Sequence, residues 1–193
     1  MPPIVRYSKE KIVDVALKIV EEKGIDSVSA RSVAKELGCS ICPVFSCFES
    51  MDLLKKELLN EMYRVYLLCV EENMKKNNKP FKGTGIGYIE FAKKHKNYFK
   101  ALFMSNIDDK LFNLLGIDEN NKKIERAISE EQEISKDEAR RIHGYCWIFV
   151  HGIAVMQATG YCTFSEEEID EMLSEQYLSL IEKMKKESTY ENN

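Results

Sequence analysis

Three cysteines within nine positions, Cys39, Cys42 and Cys47, are the side chains whose spacing could most readily support chemistry. Helical spacing would place Cys39 and Cys42 on one side of a helix, where two thiols could bind a metal ion or form a redox pair. No histidine lies nearby in the sequence to complete a zinc site. The alternative interpretation is that these cysteines are small, buried, apolar residues.

The rest of the chain has no recognisable catalytic motif. The three histidines are scattered, and the sequence has no glycine-rich phosphate loop, no H-E-x-x-H motif and no nucleophile elbow. We therefore expect no enzymatic activity, no cofactor and no bound metal ion.

Residues 28–48, which carry the three cysteines, have the pattern of a helix-turn-helix. Gly38 can adopt the positive φ of a tight turn, Ala34 is small enough for close helix approach, and Val44 would fill the angle between the helices. The second helix is expected to restart at Ser40. The positions predicted to face inward recur at helical spacing: Val33, Ala34, Leu37, Val44, Phe45 and Phe48.

The rest of the chain is predicted to be helical, which indicates an all-α fold of about nine to ten helices. Ser8 and Gly24 should bound a first helix, and Ser50 should cap a long helix from about Met51 to Lys76. Residues 73–87, rich in Lys, Asn, Pro and Gly, predict a break. We expect residues 1–50 to form one domain and residues 51–193 a second, with residues 51–76 as a connecting helix.

Later helices are marked by composition and by capping boxes. Residues 88–103 are aromatic and predict a helical region bent near Lys96, followed by a short piece over residues 111–115. A polar helix is expected over about residues 120–131. The boxes Ser135-x-x-Glu138 and Ser165-x-x-Glu168 predict the last two long helices, over about residues 136–160 and 166–187.

Composition sets limits on location and partners. The chain has 193 residues, of which 44% are hydrophobic and 31% charged, with a net charge of -4. Such a chain can bury a proper core, and it has no global basic field. No apolar run approaches the roughly 20 residues that span a bilayer, and the N-terminus has no apolar signal core. We expect a cytoplasmic protein with reduced thiols and no membrane partner.

A family resemblance is carried by a defined set of positions in residues 8–54. These residues resemble the DNA-binding domain of the TetR (tetracycline repressor) family of bacterial regulators. The matching positions are Ser29, Arg31, Val33, Ala34, Gly38, Ser40, Phe45, Phe48, Ser50 and Leu54. In the second half, YIEFAKKHKNYFKALF (residues 88–103) and WIFVHGIAVMQATG (residues 147–160) are similar to segments of the subgroup marked by a W-x-x-x-H-G motif.

The resemblance implies a ligand-responsive transcriptional regulator, a repressor that a small, largely apolar effector releases from double-stranded operator DNA. It implies an all-α homodimer in which the last two helices of each subunit form a four-helix bundle. Ligand binding in the second domain would alter the separation of the DNA-binding heads, which must reach successive major grooves. A regulator that responds through Cys39, Cys42 and Cys47 is one alternative, and a helical adaptor that has lost DNA binding is another.

The proposed DNA contacts depart from the family pattern. Ile41, Cys42 and Pro43 replace a small polar pair, Phe45 lacks the phenolic hydroxyl that often contacts phosphate, and Met51 replaces a frequent lysine. We expect Ile41, Cys42, Pro43 and Phe45 to offer methyl and van der Waals surface to DNA. The expected hydrogen-bonding and phosphate-binding residues are Ser40, Ser46, Ser29, Arg31, Lys55 and Arg6.

The second domain should contain the effector site and the dimer contacts. The resemblance points to an effector lining of Tyr88, Phe91, Phe103, Trp147, His151 and Met156, for which ordinary core packing is the alternative. His151 could also be a core or dimer-interface residue. Stripes along the last two helices give the expected dimer interface: Ile148, Val155, Ile169, Leu173, Tyr177 and Leu180.

Overall fold

The computed structural model describes residues 7–77, 79–105 and 117–191. These residues contain nine α-helices, one short 3₁₀ helix at Ile25–Ser27 and no β-strand. The all-α fold predicted from the sequence is therefore confirmed. The helices are α1 (Lys9–Lys23), α2 (Ala30–Leu37), α3 (Cys42–Cys47), α4 (Met51–Lys76), α5 (Pro80–Lys94), α6 (Lys96–Phe103), α7 (Ile117–Gln132), α8 (Lys136–Thr159) and α9 (Glu166–Glu191).

The chain divides into two compact units. The head unit comprises Met1–Val65 and His95–Asn106, and the second unit comprises Tyr66–Lys94 and Ile107–Asn193. Helix α4 contributes residues to both units. The expected domain boundary after residue 50 stays a prediction. Two predicted features, Arg6 and the short piece over residues 111–115, lie outside the described residues.

In the head unit, α1 begins and ends as its sequence predicts. The Ser8 hydroxyl oxygen accepts a hydrogen bond from the Lys11 N–H (3.2 Å), and Gly24, at φ +84°, ends the helix. Helix α6 packs on α1, because the Asn97 side-chain amide donates to the Glu21 carbonyl oxygen (2.7 Å) and the Tyr98 hydroxyl donates to the Leu17 carbonyl oxygen (3.3 Å). The head unit thus includes a segment that returns from far along the sequence.

In the second unit, the break predicted within residues 73–87 is present but shorter than the composition suggests, because α4 ends at Lys76 and α5 begins at Pro80. Gly83 and Gly87 lie within α5, and because they have no side chain the backbone of α5 can approach the backbone of α4 closely. A Cβ on Gly83 would lie 2.8 Å from the Asn73 carbonyl oxygen, and one on Gly87 would lie 2.7 Å from the Val70 Cα. Pro80 stands at the first helical position, where no backbone N–H is needed.

The other helices of the second unit follow the predicted capping chemistry. Both capping boxes are present: the carboxylates of Glu138 and Glu168 accept from the backbone N–H groups of Ser135 and Ser165, and the serine hydroxyl oxygens accept in return. Helices α7, α8 and α9 enclose a core of Ile128, Ala139, Ile142, Cys146, Ile181 and Met184. None of the helices in the described part of the chain is long and apolar enough to cross a membrane.

Candidate functional site

The turn between α2 and α3 is held by backbone hydrogen bonds around a left-handed glycine. Gly38 has φ +68° and ψ 32°, and its N–H donates to the carbonyl oxygen of Lys35 (3.1 Å). The Cys39 N–H donates to the Ala34 carbonyl oxygen (3.0 Å). These bonds end α2 and redirect the chain into α3, as the helix-turn-helix pattern predicts. The predicted inward residues Val33, Ala34, Val44 and Phe48 are buried.

Helix α3 exposes an apolar surface. It begins at Cys42 rather than at Ser40, because Pro43 fits the first helical turn. Ile41 is 43% exposed and Phe45 is 47% exposed, and they lie four positions apart on one face. The prediction that Phe45 faces inward was therefore wrong, since Val44 and Phe48 fill that space. None of the six residues of α3 is charged.

Two of the three serines predicted to contact DNA, Ser29 and Ser46, have side-chain hydrogen bonds within the head unit. The Ser46 hydroxyl donates to the Cys42 carbonyl oxygen at 2.9 Å. The Ser29 hydroxyl accepts from the Ser32 N–H (3.1 Å) in the cap of α2, and Ser40 is exposed. Of the predicted phosphate contacts, Arg31 is exposed and Lys55 is half-buried.

Tyr7, which precedes the Ser8 cap of α1, is hydrogen-bonded to the helix-turn-helix, and no sequence pattern predicts this role. Its hydroxyl donates to the Leu37 carbonyl oxygen (3.1 Å), and the Cys47 thiol donates to the Tyr7 carbonyl oxygen (3.4 Å). These two bonds attach the start of the described chain to both helices of the helix-turn-helix.

The three cysteines near the turn have different surroundings. Cys42 is exposed, whereas Cys39 and Cys47 are half-buried, and all three thiols are free. Within residues 7–77, 79–105 and 117–191, no three His, Cys, Asp or Glu side chains are grouped so that they could hold a metal ion. The arrangement around the turn therefore gives no support to a metal-responsive regulator.

An aromatic cluster in the second unit joins α4, α5 and α8. The Tyr88 hydroxyl is hydrogen-bonded to His151 Nδ1 at 2.9 Å, and the Trp147 ring stacks on the His151 ring at 5.0 Å between centroids. Tyr66 makes edge-on contacts with Tyr88 (5.8 Å) and with Phe91 (5.5 Å). We call these five residues, Tyr66, Tyr88, Phe91, Trp147 and His151, the aromatic cluster.

The aromatic cluster contains four of the six predicted effector residues. Phe103 does not share this unit, because it belongs to the head unit, where its ring lies 5.5 Å from Phe99. Met156 is exposed on α8. Tyr66 was not predicted, although it lies four positions after the buried Met62 and so shared the helical spacing of the α4 stripe.

Burial keeps the polar groups of the aromatic cluster uncharged. Burial, and secondarily the neighbouring Tyr66, raises the pKa of Tyr88 far above its ordinary value. Burial also lowers the pKa of His151 below its ordinary 6.5. Trp147 is 48% exposed, while Tyr88 and Phe91 are buried. The cluster thus presents a partly exposed aromatic surface with one neutral hydrogen-bonding pair.

The predicted dimer residues fall into two groups. Ile169 and Leu173 are only 7% and 8% exposed in the single chain, so they pack within their own unit and have little surface to offer a partner. Ile148 is 63% exposed, and Val155, Tyr177 and Leu180 are half-buried. Tyr145 on α8 and Leu178 on α9 are also exposed and apolar, although they lie outside the predicted stripes.

Glycines shape the exposed face of α8. Gly144, Ile148 and Gly152 recur every four residues and so lie on one side of the helix. A Cβ on either glycine would meet nothing within 4 Å. This side of α8 is therefore smooth and open within the single chain.

Three solved structures are similar to this chain over nearly its full length. A protein of unknown function from Rhodococcus sp. RHA1 is 18% identical, with a TM-score of 0.69 over 94% of this chain and 98% of that one. A glutamine-to-alanine variant of TetR from Acinetobacter baumannii AYE, in complex with minocycline, is 15% identical, with a TM-score of 0.58 over 93% and 97%. The multidrug binding protein EbrR, complexed with imidazole, is 16% identical, with a TM-score of 0.59 over 90% and 95%.

These comparisons identify the fold. The chain has the all-α, TetR-like fold that the sequence resemblance implies. No protein-family model matches the chain, and no curated protein matches it either. The assignment to the W-x-x-x-H-G subgroup stays a prediction.

Proposed function

We propose that this chain is a dimeric, ligand-responsive transcriptional repressor that binds operator DNA through α2 and α3. The observation that carries the proposal is the exposed face of α3, presented by a helix-turn-helix whose inner residues are buried. This face carries two half-exposed apolar side chains, Ile41 at the start of α3 and Phe45 within it, and no charged residue of α3. The fold shared with TetR supports the same conclusion.

In this proposal α3 enters the major groove of DNA, and phosphates are contacted from its flanks. The groove-facing residues are Ser40, Ile41, Cys42, Pro43, Phe45 and Ser46. Arg31, Lys55 and Arg6 neutralise phosphates, and the first N–H groups of α2, beside Ser29, lie at a helix end that favours anions. Three phosphates per subunit give about six per dimer, and thus a slope of about −5 in log affinity against log salt.

The effector binds at the aromatic cluster. Trp147 gives this site access to solvent, and the neutral Tyr88–His151 pair supplies one oriented hydrogen bond to an otherwise apolar ligand. The comparison structures of TetR and EbrR contain minocycline and imidazole, respectively. Because neither Tyr88 nor His151 carries charge near neutral pH, an uncharged aromatic compound is the expected effector class.

Dimerisation occurs through the exposed face of α8 together with α9. The open surface at Gly144 and Gly152 lets a partner helix approach closely, and Ile148 and Leu178 supply apolar area on either side. A second copy of the chain is the occupant that two-fold operator binding requires.

An electrophoretic shift with DNA from upstream of the protein's own coding sequence tests DNA binding. We expect a shift at low salt, under reducing conditions and without effector. Arg31→Ala should weaken the shift, whereas Arg64→Ala should not, because Arg64 is an equally exposed arginine that pairs with Glu61 on α4. Absence of any shift would favour the helical adaptor instead.

Effector binding has a separate test, made by calorimetry with a panel of uncharged aromatic compounds. A binding compound should reduce the DNA shift of the unaltered protein. The His151→Ala variant should bind that compound at least tenfold more weakly while it still shifts DNA. A variant that binds the compound normally would remove the aromatic cluster from consideration as the effector site.

A further inference from the structure

We propose that α3 recognises the 5-methyl groups of thymines, and that Ile41 and Phe45 contribute to operator specificity through these apolar contacts. This inference rests on the DNA-binding function proposed above and names the chemistry of its target. It extends to the base edges what the sequence indicates only in general terms.

The side chains of α3 offer few hydrogen-bonding groups to DNA. The helix has no charged side chain, and Ser46, its one hydroxyl residue, donates to the Cys42 carbonyl oxygen at 2.9 Å. What remains exposed on the face of Ile41 and Phe45 is hydrocarbon and the Cys42 thiol, a weak donor. The surface therefore lacks the bidentate groups that read guanine or adenine.

The major groove of DNA has one apolar group that could contact such a surface. Every base edge there presents hydrogen-bond donors or acceptors, and the only apolar group is the C5 methyl of thymine. Placing Ile41 or Phe45 over a polar edge would remove water from that edge without replacing its hydrogen bonds, which is unfavourable. Contact with a thymine methyl instead removes apolar area on both partners from water.

The spacing of the two side chains predicts the spacing of the methyl groups. Ile41 and Phe45 are four positions apart, which is about one helical turn of roughly 5.4 Å. Successive base pairs rise about 3.4 Å. Each half of the operator should therefore contain two thymines separated by one or two base steps, on the groove face that α3 contacts.

Replacement of thymine by uracil tests the inference, because uracil lacks only the methyl group. Duplexes would first be enriched from a random DNA pool by the intact protein at low salt, and then synthesised with deoxyuridine at single thymine positions. We expect about a fourfold loss of affinity for each contacted methyl, from roughly 0.8 kcal/mol per buried methyl-sized group. Uncontacted thymines should tolerate the change.

A protein–DNA cycle separates direct contact from changes in DNA shape. Ile41→Ala and Phe45→Ala should each weaken binding to the thymine duplex by a fewfold and have no effect on the duplex in which their partner methyl is absent. Leu68→Ala is the matched control, because Leu68 is a similarly exposed leucine of α4 in the second unit. Both head variants alter exposed side chains, so unchanged thermal unfolding would verify their fold.

The possible outcomes are distinct. If no duplex is enriched, the proposed DNA-binding function fails, and the inference fails with it. If duplexes are enriched but uracil substitution changes nothing, or the alanine variants lose affinity equally for both duplexes, DNA binding stands and thymine-methyl recognition is overturned.

Discussion

The helix-turn-helix and the aromatic cluster present apolar surface in two different ways. In the head unit, Ile41 at the start of α3 and Phe45 within it are exposed, and the direction of this short helix is set by the hydrogen bonds of the adjacent Gly38 turn. In the second unit, the cluster is assembled from three helices, and Tyr88 and His151 are 63 positions apart in sequence. The first surface depends on local backbone geometry, and the second depends on how closely distant helices can pack.

Two glycines, one in each unit, are required for different physical reasons. Gly38 is required by its backbone angle, φ +68°, and a Cβ there would touch nothing within 4 Å. Gly87 has ordinary helical geometry, but a Cβ there would lie 2.7 Å from the Val70 Cα and 2.9 Å from the Cys69 carbonyl oxygen. Substitution should therefore act through backbone strain in the head unit and through steric overlap in the second unit.

The largest expected effect is that of Gly87→Ala. The added methyl group would collide with the backbone of α4, which cannot move aside as a flexible side chain can, so we expect a loss of about 3 kcal/mol in unfolding free energy. Urea unfolding would measure it. Gly85→Ala is the control on the same helix, since its Cβ would meet only the side chains of Val150 (3.3 Å) and Leu173 (3.4 Å) and alanine favours helix by about 1 kcal/mol. Equal stability of the two variants would contradict the packing assigned to α5.

Gly38→Ala should have a smaller effect, of about 1–2 kcal/mol, because only the left-handed backbone conformation opposes it. Gly38→Asn should recover part of that loss, since asparagine tolerates this conformation, whereas Gly87→Asn should be worse than Gly87→Ala. Thermal unfolding of the four variants measures both comparisons. If asparagine gives no recovery at Gly38, strain at the turn is not the reason for the glycine.

Features that depend on residues close together in the sequence are the ones that the sequence predicts correctly. The caps at Ser8, Ser135 and Ser165 are correctly predicted because each depends on residues three positions apart. The inward orientation of Phe45 was wrong because helical spacing gave two candidates for one space, and Val44 occupies it.

Errors at longer range have a different physical origin. The glycines over residues 83–87 predict a longer break than the structure has, since the sequence does not show that α4 lies against them. Phe103 was grouped with the effector residues, but α6 returns to pack on α1. Ile169 and Leu173 follow an apolar stripe that faces the core of their own unit, and periodicity alone does not distinguish that core from a dimer interface.

Within the aromatic cluster, Tyr88→Phe tests the one polar contact. Removing the hydroxyl deprives the half-buried His151 of its hydrogen bond at Nδ1, and we expect a loss of about 1 kcal/mol in unfolding free energy. Tyr145→Phe is the matched control on an exposed tyrosine of α8 and should be neutral. Chemical unfolding of the two variants gives the comparison, and similar losses would argue against a structural role for the Tyr88–His151 bond.

Protonation of His151 on acidification should be measurable by the fluorescence of Trp147, which is the only tryptophan in the chain. A protonated imidazole stacked on an indole quenches its emission, and burial lowers the pKa of His151, so quenching should have a midpoint below pH 6.5. Because the pKa of His151 is lower in the folded state, the unfolded state binds a proton at this imidazole more readily. The folded state is therefore favoured most above pH 6.5, and this contribution is lost as the pH falls towards the folded pKa of His151.

The variant His151→Gln provides the control for that titration. It should remove the quenching midpoint and flatten the pH dependence of stability below pH 6.5. A midpoint at or above pH 6.5, or one that persists in the variant, would show that His151 is not desolvated as its surroundings imply.

The smallest expected effect is that of Ser46→Ala in α3. The Ser46 hydroxyl donates a hydrogen bond to the Cys42 carbonyl oxygen. This oxygen also accepts from the helical backbone, so removing the hydroxyl should change the unfolding free energy by less than about 0.5 kcal/mol. DNA affinity should change less than twofold, in contrast to the fewfold losses of Ile41→Ala and Phe45→Ala, and fluorescence anisotropy with an enriched duplex would measure all three. A tenfold loss for Ser46→Ala would mean that the hydroxyl leaves the helix to bond a base, and the apolar character assigned to this surface would then be wrong.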